Sequence, residues 1–243
     1  GPVNGLAVVA AAGGTPQMLL ATPSMIHGLD WSRDGARLVY ATSDSGSQSV
    51  SLFTLELESR RRAALTQPDP EFSCDHAPVC SPDGRTVAFV RTDAFNTQDV
   101  YLQPAGGGPP RRLTTVRARF QGLAWAPDGE SLVSSLALPG QEGLWRLRVA
   151  DGSLTWLPTR SFRAIWPTVA ARGRRLAFAD SRVDRNVWLA RLERAAEPDS
   201  ALSPLITSTR SDHGAAFSPD GQRIAFVSDR SGAPEIWTCD RQG

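Results

Sequence analysis

The chain has 243 residues, 41% of them hydrophobic and 21% charged, with a formal net charge of +1. This is the composition of a globular protein with a sizeable core, and so even a charge balance gives no bulk electrostatic case for binding nucleic acid. No apolar run reaches the ~18 residues that a membrane-spanning helix needs, which argues against a membrane role for this domain. Cys74, Cys80 and Cys239 are too few and too unevenly spaced for a disulfide framework or a zinc template, and the first two read as small buried residues or, in an exported protein, as a local bridge.

In chain order, Gly1-Pro2 reads as a protease scar that has replaced any native targeting segment. Residues 5–22 read as a strand pair, the last two strands (c and d) of a four-stranded unit whose a and b strands are absent. A short signature then recurs: W-S-R-D-G at 31–35, C-S-P-D-G at 80–84, W-A-P-D-G at 125–129 and F-S-P-D-G at 217–221, with a degraded copy, V-A-A-R-G, at 169–173. With Asp34, Asp83, Asp128, Arg172 and Asp220 equivalent, the steps are 49, 45, 44 and 48 residues. That period belongs to a propeller blade.

Each copy repeats the same order of events. A short apolar strand a runs into the signature, whose Pro, Asp and Gly are the residues of a tight turn. Strand b follows as a continuous apolar run (R-L-V-Y-A, T-V-A-F-V, S-L-V-S-S, R-L-A-F-A, R-I-A-F-V), expected between neighbouring blades because neither face looks wet. After a polar loop, strand c carries an aromatic: Phe53, Tyr101, Trp145, Trp188 and Trp237, all expected to be packed between blades. A Gly-rich or charged turn leads to strand d. The reading is an all-β propeller of four-stranded antiparallel blades, one domain over 1–243, with full blades at 25–67, 72–115, 120–159 and 164–208 and a partial blade at 212–243. Two frames stay open. Residues 16–21 close a five-bladed ring beside 235–240, or the chain belongs to a longer ring of about six to eight blades. Open blade edges would invite edge-to-edge self-association.

The motif S-P-D-G-R-x-[VI]-A-F-V, followed by D-V-Y-L and G-G-x-P-R-R-L-T, resembles the TolB-type propeller repeat. The order G-L-D-W-S, H-A-P-V-C-S, G-L-A-W-A-P-D-G with G-L-W-R, and N-V-W-L-A-R-L-E is similar to the C-terminal propeller of CadC-like winged-helix bacterial regulators. Such repeats also occur in the translocation protein TolB and in prolyl-oligopeptidase-type peptidases. The resemblance implies a binding or sensing module of a larger bacterial regulator, periplasmic or cytoplasmic, with a protein partner or small ligand at the channel mouth or rim. The alternatives are a propeller supporting a hydrolase and an assembly scaffold.

The motifs point away from catalysis. There is no G-x-S-x-G elbow, H-E-x-x-H, Walker loop or dinucleotide fingerprint, so no enzyme activity and no cofactor is expected. The S-D-R-S-G at 228–232 reads as a solvated loop. The arginine clusters Arg60–Arg62, Arg111–Arg112 and Arg172–Arg175 are scattered over different blades rather than gathered into a basic stripe. One register stands out. His27, His76 and His213 all lie five residues before the Ser of the signature, with Gln121 and Ile165 in that place in the other copies. Asp75 and Asp212 immediately precede two of them. A shared register becomes a ring around a propeller channel, where imidazoles oriented by carboxylates hold a metal or an anion. The competing reading is a repeated structural role, each ring hydrogen-bonded within its own blade.

Overall fold

A computed structural model describes residues 4–44, 47, 49–68, 74–138, 141–159, 163–170, 175–181, 185–190 and 202–242. Every regular element among them is a strand. Strands β1 (Asn4–Val8) and β2 (Gln17–Thr22) form an antiparallel pair. Four-stranded meanders follow, running from inner strand a to outer strand d: β3 (Ile26–Trp31), β4 (Arg37–Thr42), β5 (Ser51–Glu56) and β6 (Arg62–Ala64); then β7 (Cys74–Cys80), β8 (Thr86–Thr92), β9 (Gln98–Pro104) and β10 (Arg111–Arg112). The third comprises β11 (Arg119–Trp125), β12 (Ser131–Leu138), β13 (Gln141–Arg148) and β14 (Leu154–Leu157).

The fourth repeat differs. Its a and b strands, β15 (Ala164–Val169) and β16 (Leu176–Asp180), form one two-stranded sheet, while β17 (Val187–Ala190) and β18 (Leu202–Ile206) form another. The last sheet has three strands, β19 (Asp212–Phe217), β20 (Arg223–Ser228) and β21 (Glu235–Asp240). The chain divides into two compact units, 1–181 and 182–243, so the boundary falls inside the fourth repeat. Every residue of β16 is exposed. Most of the degraded signature, residues 171–173, lies outside the described residues.

The signature turn owes its geometry to its own side chains. The hydroxyls of Ser32, Ser81 and Ser218 each donate to the carboxylate two residues on, Asp34, Asp83 and Asp220, at 2.6 Å. Each carboxylate also accepts the backbone N–H two residues further, of Ala36, Arg85 or Gln222, at 3.0 Å. The hydroxyl bonds, then the backbone ones, hold all three carboxyls below the usual carboxylate range. In the third repeat Ala126 stands in for the Ser, and Asp128 keeps only the backbone bond, to Glu130 at 2.9 Å.

The core lies between successive sheets of the first unit. Leu6 packs with Leu38, Tyr40, Phe53 and Leu55, so the N-terminal pair covers the outer face of the first four-stranded sheet. Val39, Ala41 and Leu52 meet Val87 and Phe89 of the next. Val90, Val100 and Leu102 then meet Phe120, Leu132, Leu136 and Trp145. This step-by-step burial makes the b strands apolar on both faces.

The strand-c aromatics do not all behave alike. Phe53 and Trp145 are buried and Tyr101 is half-buried, but Trp188 is 58% exposed and Trp237 36%. The expectation of uniform packing is therefore corrected for the second unit. There, among the described residues, β17 pairs only with β18, and the Trp237 ring is covered by the Arg230 guanidinium, 5.2 Å from its centroid.

Candidate functional site

In the first unit the inner strands β3, β7, β11 and β15 lie side by side, each laddered along one edge to its own sheet, with β7 also bridged to Val50 at Cys74. All carry a β-bulge at the same point, and β19 repeats it in the second unit. Just after the histidine register one extra residue is accommodated with positive φ: Gly28 at 129°, Ala77 at 50°, Gly122 at 82°, Trp166 at 50° and Gly214 at 65°. At two of these places glycine also permits close approach. A Cβ on Gly28 would lie 3.1 Å from the Ala77 Cα, and one on Gly122 would lie 2.9 Å from the Trp166 Cα. The bulges therefore stack against each other from sheet to sheet, and they re-aim the residue before them, a known use of the irregularity.

That residue is His27, His76, Gln121 or Ile165 in the first unit. His27 is exposed, and it sits near enough for its charge to disfavour protonation of His76. His76 is half-buried with Nε2 3.1 Å from the Thr92 hydroxyl oxygen. Burial first, then His27, brings its pKa down to about 4 against an opposing pull from Asp75, so the ring is neutral at pH 7. Gln121 has its Oε1 buried without a hydrogen-bond partner. Ile165 is buried and ends the polar series. His213 is exposed at the equivalent place of the second unit.

The carboxylates do not serve the imidazoles. Asp75 is fully buried and grips Arg91 in a two-pronged pair at 2.6 and 2.8 Å. Asp212, also buried, meets Arg230 at 3.0 Å and accepts from the Ser208 hydroxyl at 2.7 Å. Burial pushes the Asp212 carboxyl up, but Ser228, Ser208 and Arg230 together outweigh it and leave it below its ordinary range. The reason is strand geometry: successive side chains point to opposite faces, so the residue before each histidine turns away from it. A carboxylate buried there needs a cation. No group of three or more His, Cys, Asp or Glu side chains among the described residues is placed to hold a metal ion.

The other end of the same strands holds a cavity of about 380 Å³, lined among others by Asp30, Trp31, Cys80, Trp125 and Pro167. Asp30 accepts the backbone N–H of Trp31 at 2.8 Å and, across to the neighbouring sheet, that of Cys80 at 2.7 Å. Burial raises its pKa, and the two N–H bonds partly offset that. The Cys80 thiol is pushed up to about 12, by burial first and then by Asp30, so it is protonated at neutral pH and a poor nucleophile. The indole of Trp125 is tied down by donating to the Val79 carbonyl at 3.0 Å. Sequence reading passed over Asp30. The signal was present, because the same register holds Val79, Ala124, Thr168 and Ala216 in the other copies, and Asp30 is the one ionisable side chain among them.

Comparison with known proteins agrees with this architecture. The chain is 30% identical over 158 residues to a TolB homolog of Chlorobium luteolum, covering 65% of this chain and 34% of that protein. It is 26% identical over 201 residues to an uncharacterized peptidase of Bacillus subtilis, covering 81% of this chain and 28% of the peptidase. The crystal structure of TolB from Acinetobacter baumannii superposes with a TM-score of 0.64 at 18% identity, over 98% of this chain and 57% of that one. The chain thus spans about a third of the length of the first of these relatives. The family described as the TolB beta propeller domain matches residues 4–213, and with its stacked meanders and recurrent S-P-D-G turns the chain belongs to that family.

Proposed function

We propose that the chain is a non-catalytic binding module of a larger bacterial protein, and that it engages a protein partner or small ligand at the channel mouth carrying His27, His76 and Gln121. The observation that carries this reading is the Gln121 Oε1, buried without a partner among the described residues at the bulged register of β11. A polar atom so placed costs stability unless a ligand or water completes it. The protonated Cys80 thiol and the commitment of Asp75 and Asp212 to arginines support the non-catalytic part. The order of repeat flavours, from G-L-D-W-S to N-V-W-L-A-R-L-E, favours a regulator as the parent protein, with the propeller as its sensing part. Similarity to the Bacillus subtilis peptidase favours a second reading, a propeller that supports a hydrolase domain.

The test uses the full-length parent protein, tagged and recovered from its own cells with whatever binds it. Gln121→Leu and His27→Ala should each reduce recovery of the bound species several-fold without lowering the unfolding midpoint. Undiminished recovery by both variants overturns the assignment of the mouth. Turnover of peptide or ester substrates that a point substitution in residues 1–243 abolishes overturns the non-catalytic reading.

A further inference from the structure

We infer that the opposite end of the strand-a channel, around Asp30, Trp31 and Trp125, is a binding site for an organic cation, an alkylammonium or guanidinium group. This goes beyond the reading above, which concerns the histidine end, and it stands or falls separately. At this register the other copies hold Val79, Ala124, Thr168 and Ala216, so strand a and its turn form without a carboxylate. Bridging to the Cys80 N–H asks only for an acceptor oxygen, which a neutral side chain supplies. A half-buried carboxylate supplies the same bond at a desolvation cost, which a cation would offset.

No described residue provides such a cation. Among the described residues Asp30 forms no ion pair, and its polar contacts are the backbone N–H groups of Trp31 and Cys80. A carboxylate has about four lone-pair positions, so roughly half its capacity is unused. Arg33 lines the cavity as well, but it is exposed, where water screens its charge.

The walls match the proposed ligand. Trp31 is 44% exposed where it lines the cavity and offers ring surface, while Trp125, on the sheet beyond that of Cys80, is largely buried with its N–H already engaged. Indole faces attract ammonium and guanidinium groups, more so where water is partly excluded. Val79, Leu123 and Pro167 complete an apolar wall suited to the aliphatic stem of such a group. The volume, about 380 Å³, lies within the range of small-ligand pockets.

Calorimetric titration of the full chain with the Nα-acetylated forms of arginine amide, lysine amide and the neutral isostere citrulline amide tests this. The cationic amides should bind, with citrulline amide at least tenfold weaker. Asp30→Asn keeps an acceptor for the Cys80 N–H, gives up the one for the Trp31 N–H and removes the charge, so it should lose at least tenfold in affinity with the chain still folded. Trp31→Leu should lose a few-fold. A blocked Gly/Ser peptide with a single Arg gives the second arm: tighter binding than arginine amide identifies a protein segment as the source of the cation, and equal binding a free amine. Equal affinity for citrulline amide, no binding of either cation at millimolar concentration, or full binding by Asp30→Asn would overturn the site. Should Asp30→Asn not fold, undiminished affinity in Trp31→Leu overturns it instead. His27→Ala should leave these titrations unchanged, which separates failure here from failure at the histidine end.

Discussion

The second and fifth repeats solve one electrostatic problem by two routes. Both bury an aspartate at the start of strand a, Asp75 and Asp212, and both neutralise it with an arginine stacked near the aromatics of strands b and c. In the second repeat the cation is Arg91, on strand β8 directly across from Asp75, with its guanidinium carbon 5.4 Å from the Phe89 centroid and 4.9 Å from that of Tyr101. In the fifth the position across from Asp212 is Ser228, and Arg230 reaches back from the loop two residues on. Its guanidinium carbon lies 5.0 and 5.2 Å from the Phe226 and Trp237 centroids. What repeats is the placement of charge over aromatic surface, and the chain position that supplies it is free to move. The routes are unequal in quality. Arg91 is 19% exposed and two-pronged, while Arg230 is 34% exposed with one direct bond.

The largest effect should follow from breaking the better pair. Asp75→Ala strands Arg91 in a partly buried site, and losses of about 3–5 kcal/mol are typical for such single deletions. Asp212→Ala should cost clearly less, about half, because water already reaches Arg230. Urea unfolding of the two variants gives the comparison directly, and equal losses would break it. Replacing both partners with apolar residues, Asp75→Leu with Arg91→Met, should recover most of the loss.

Strand-c aromatics extend the contrast to packing. Trp145→Ala, at a site 8% exposed in the first unit, should cost about 3–5 kcal/mol. Trp237→Ala removes a ring that is 36% exposed and shielded chiefly by Arg230, so about 1–2 kcal/mol is expected. The unfolding midpoints of both should be read together. A Trp237→Ala loss as large as that of Trp145→Ala would mean that the ring is covered in solution.

A third contrast lies in pH. The folded-state pKa of His76 is about 4, below its ordinary 6.5. Between those values the unfolded chain binds the proton more readily, so this contribution is intact above about pH 6.5 and is lost as pH falls toward 4. The loss is at most about 3 kcal/mol. His76→Gln should flatten stability against pH in that window, and His213→Gln at the exposed equivalent serves as control. An unchanged profile in His76→Gln would show that the ring is hydrated.

These contrasts mark where sequence reading reached and where it stopped. The signature turn was legible because its bonds are local: Ser81, Asp83 and Arg85 close it among themselves. Strand b was legible in β4, β8 and β12, where burial on both faces leaves an unbroken apolar run, whereas β16 carries such a run and is exposed throughout. The bulge was not, since glycine supplies the positive φ in three repeats while Ala77 and Trp166 carry it in the others. The His27, His76 and Gln121 register was found as a pattern, but the loyalty of Asp75 to Arg91 follows from which face each residue takes. That needs the strand's register, which a bulge shifts by one. Asp30 escaped notice because a motif search looks for residues that recur, and its interest is that it does not.

The smallest expected change has the opposite sign. Gln121 and His76 share a register, but the His76 Nε2 has the Thr92 hydroxyl within reach, while the Gln121 Oε1 is buried without a partner. Replacing a buried, unsatisfied polar group with an apolar one of similar shape removes a desolvation penalty, so Gln121→Leu should stabilise the folded chain by about 1 kcal/mol. The same change at His76 removes a group that has a partner and leaves the Thr92 hydroxyl without it, so His76→Leu should not stabilise. Residues that gain stability when neutralised are those a protein keeps for binding at some cost to its fold. A gain for Gln121→Leu with diminished partner recovery would place the channel mouth in that class. A loss above about 1 kcal/mol would instead show that water or a neighbouring donor already completes Gln121, and the channel mouth would then be structural.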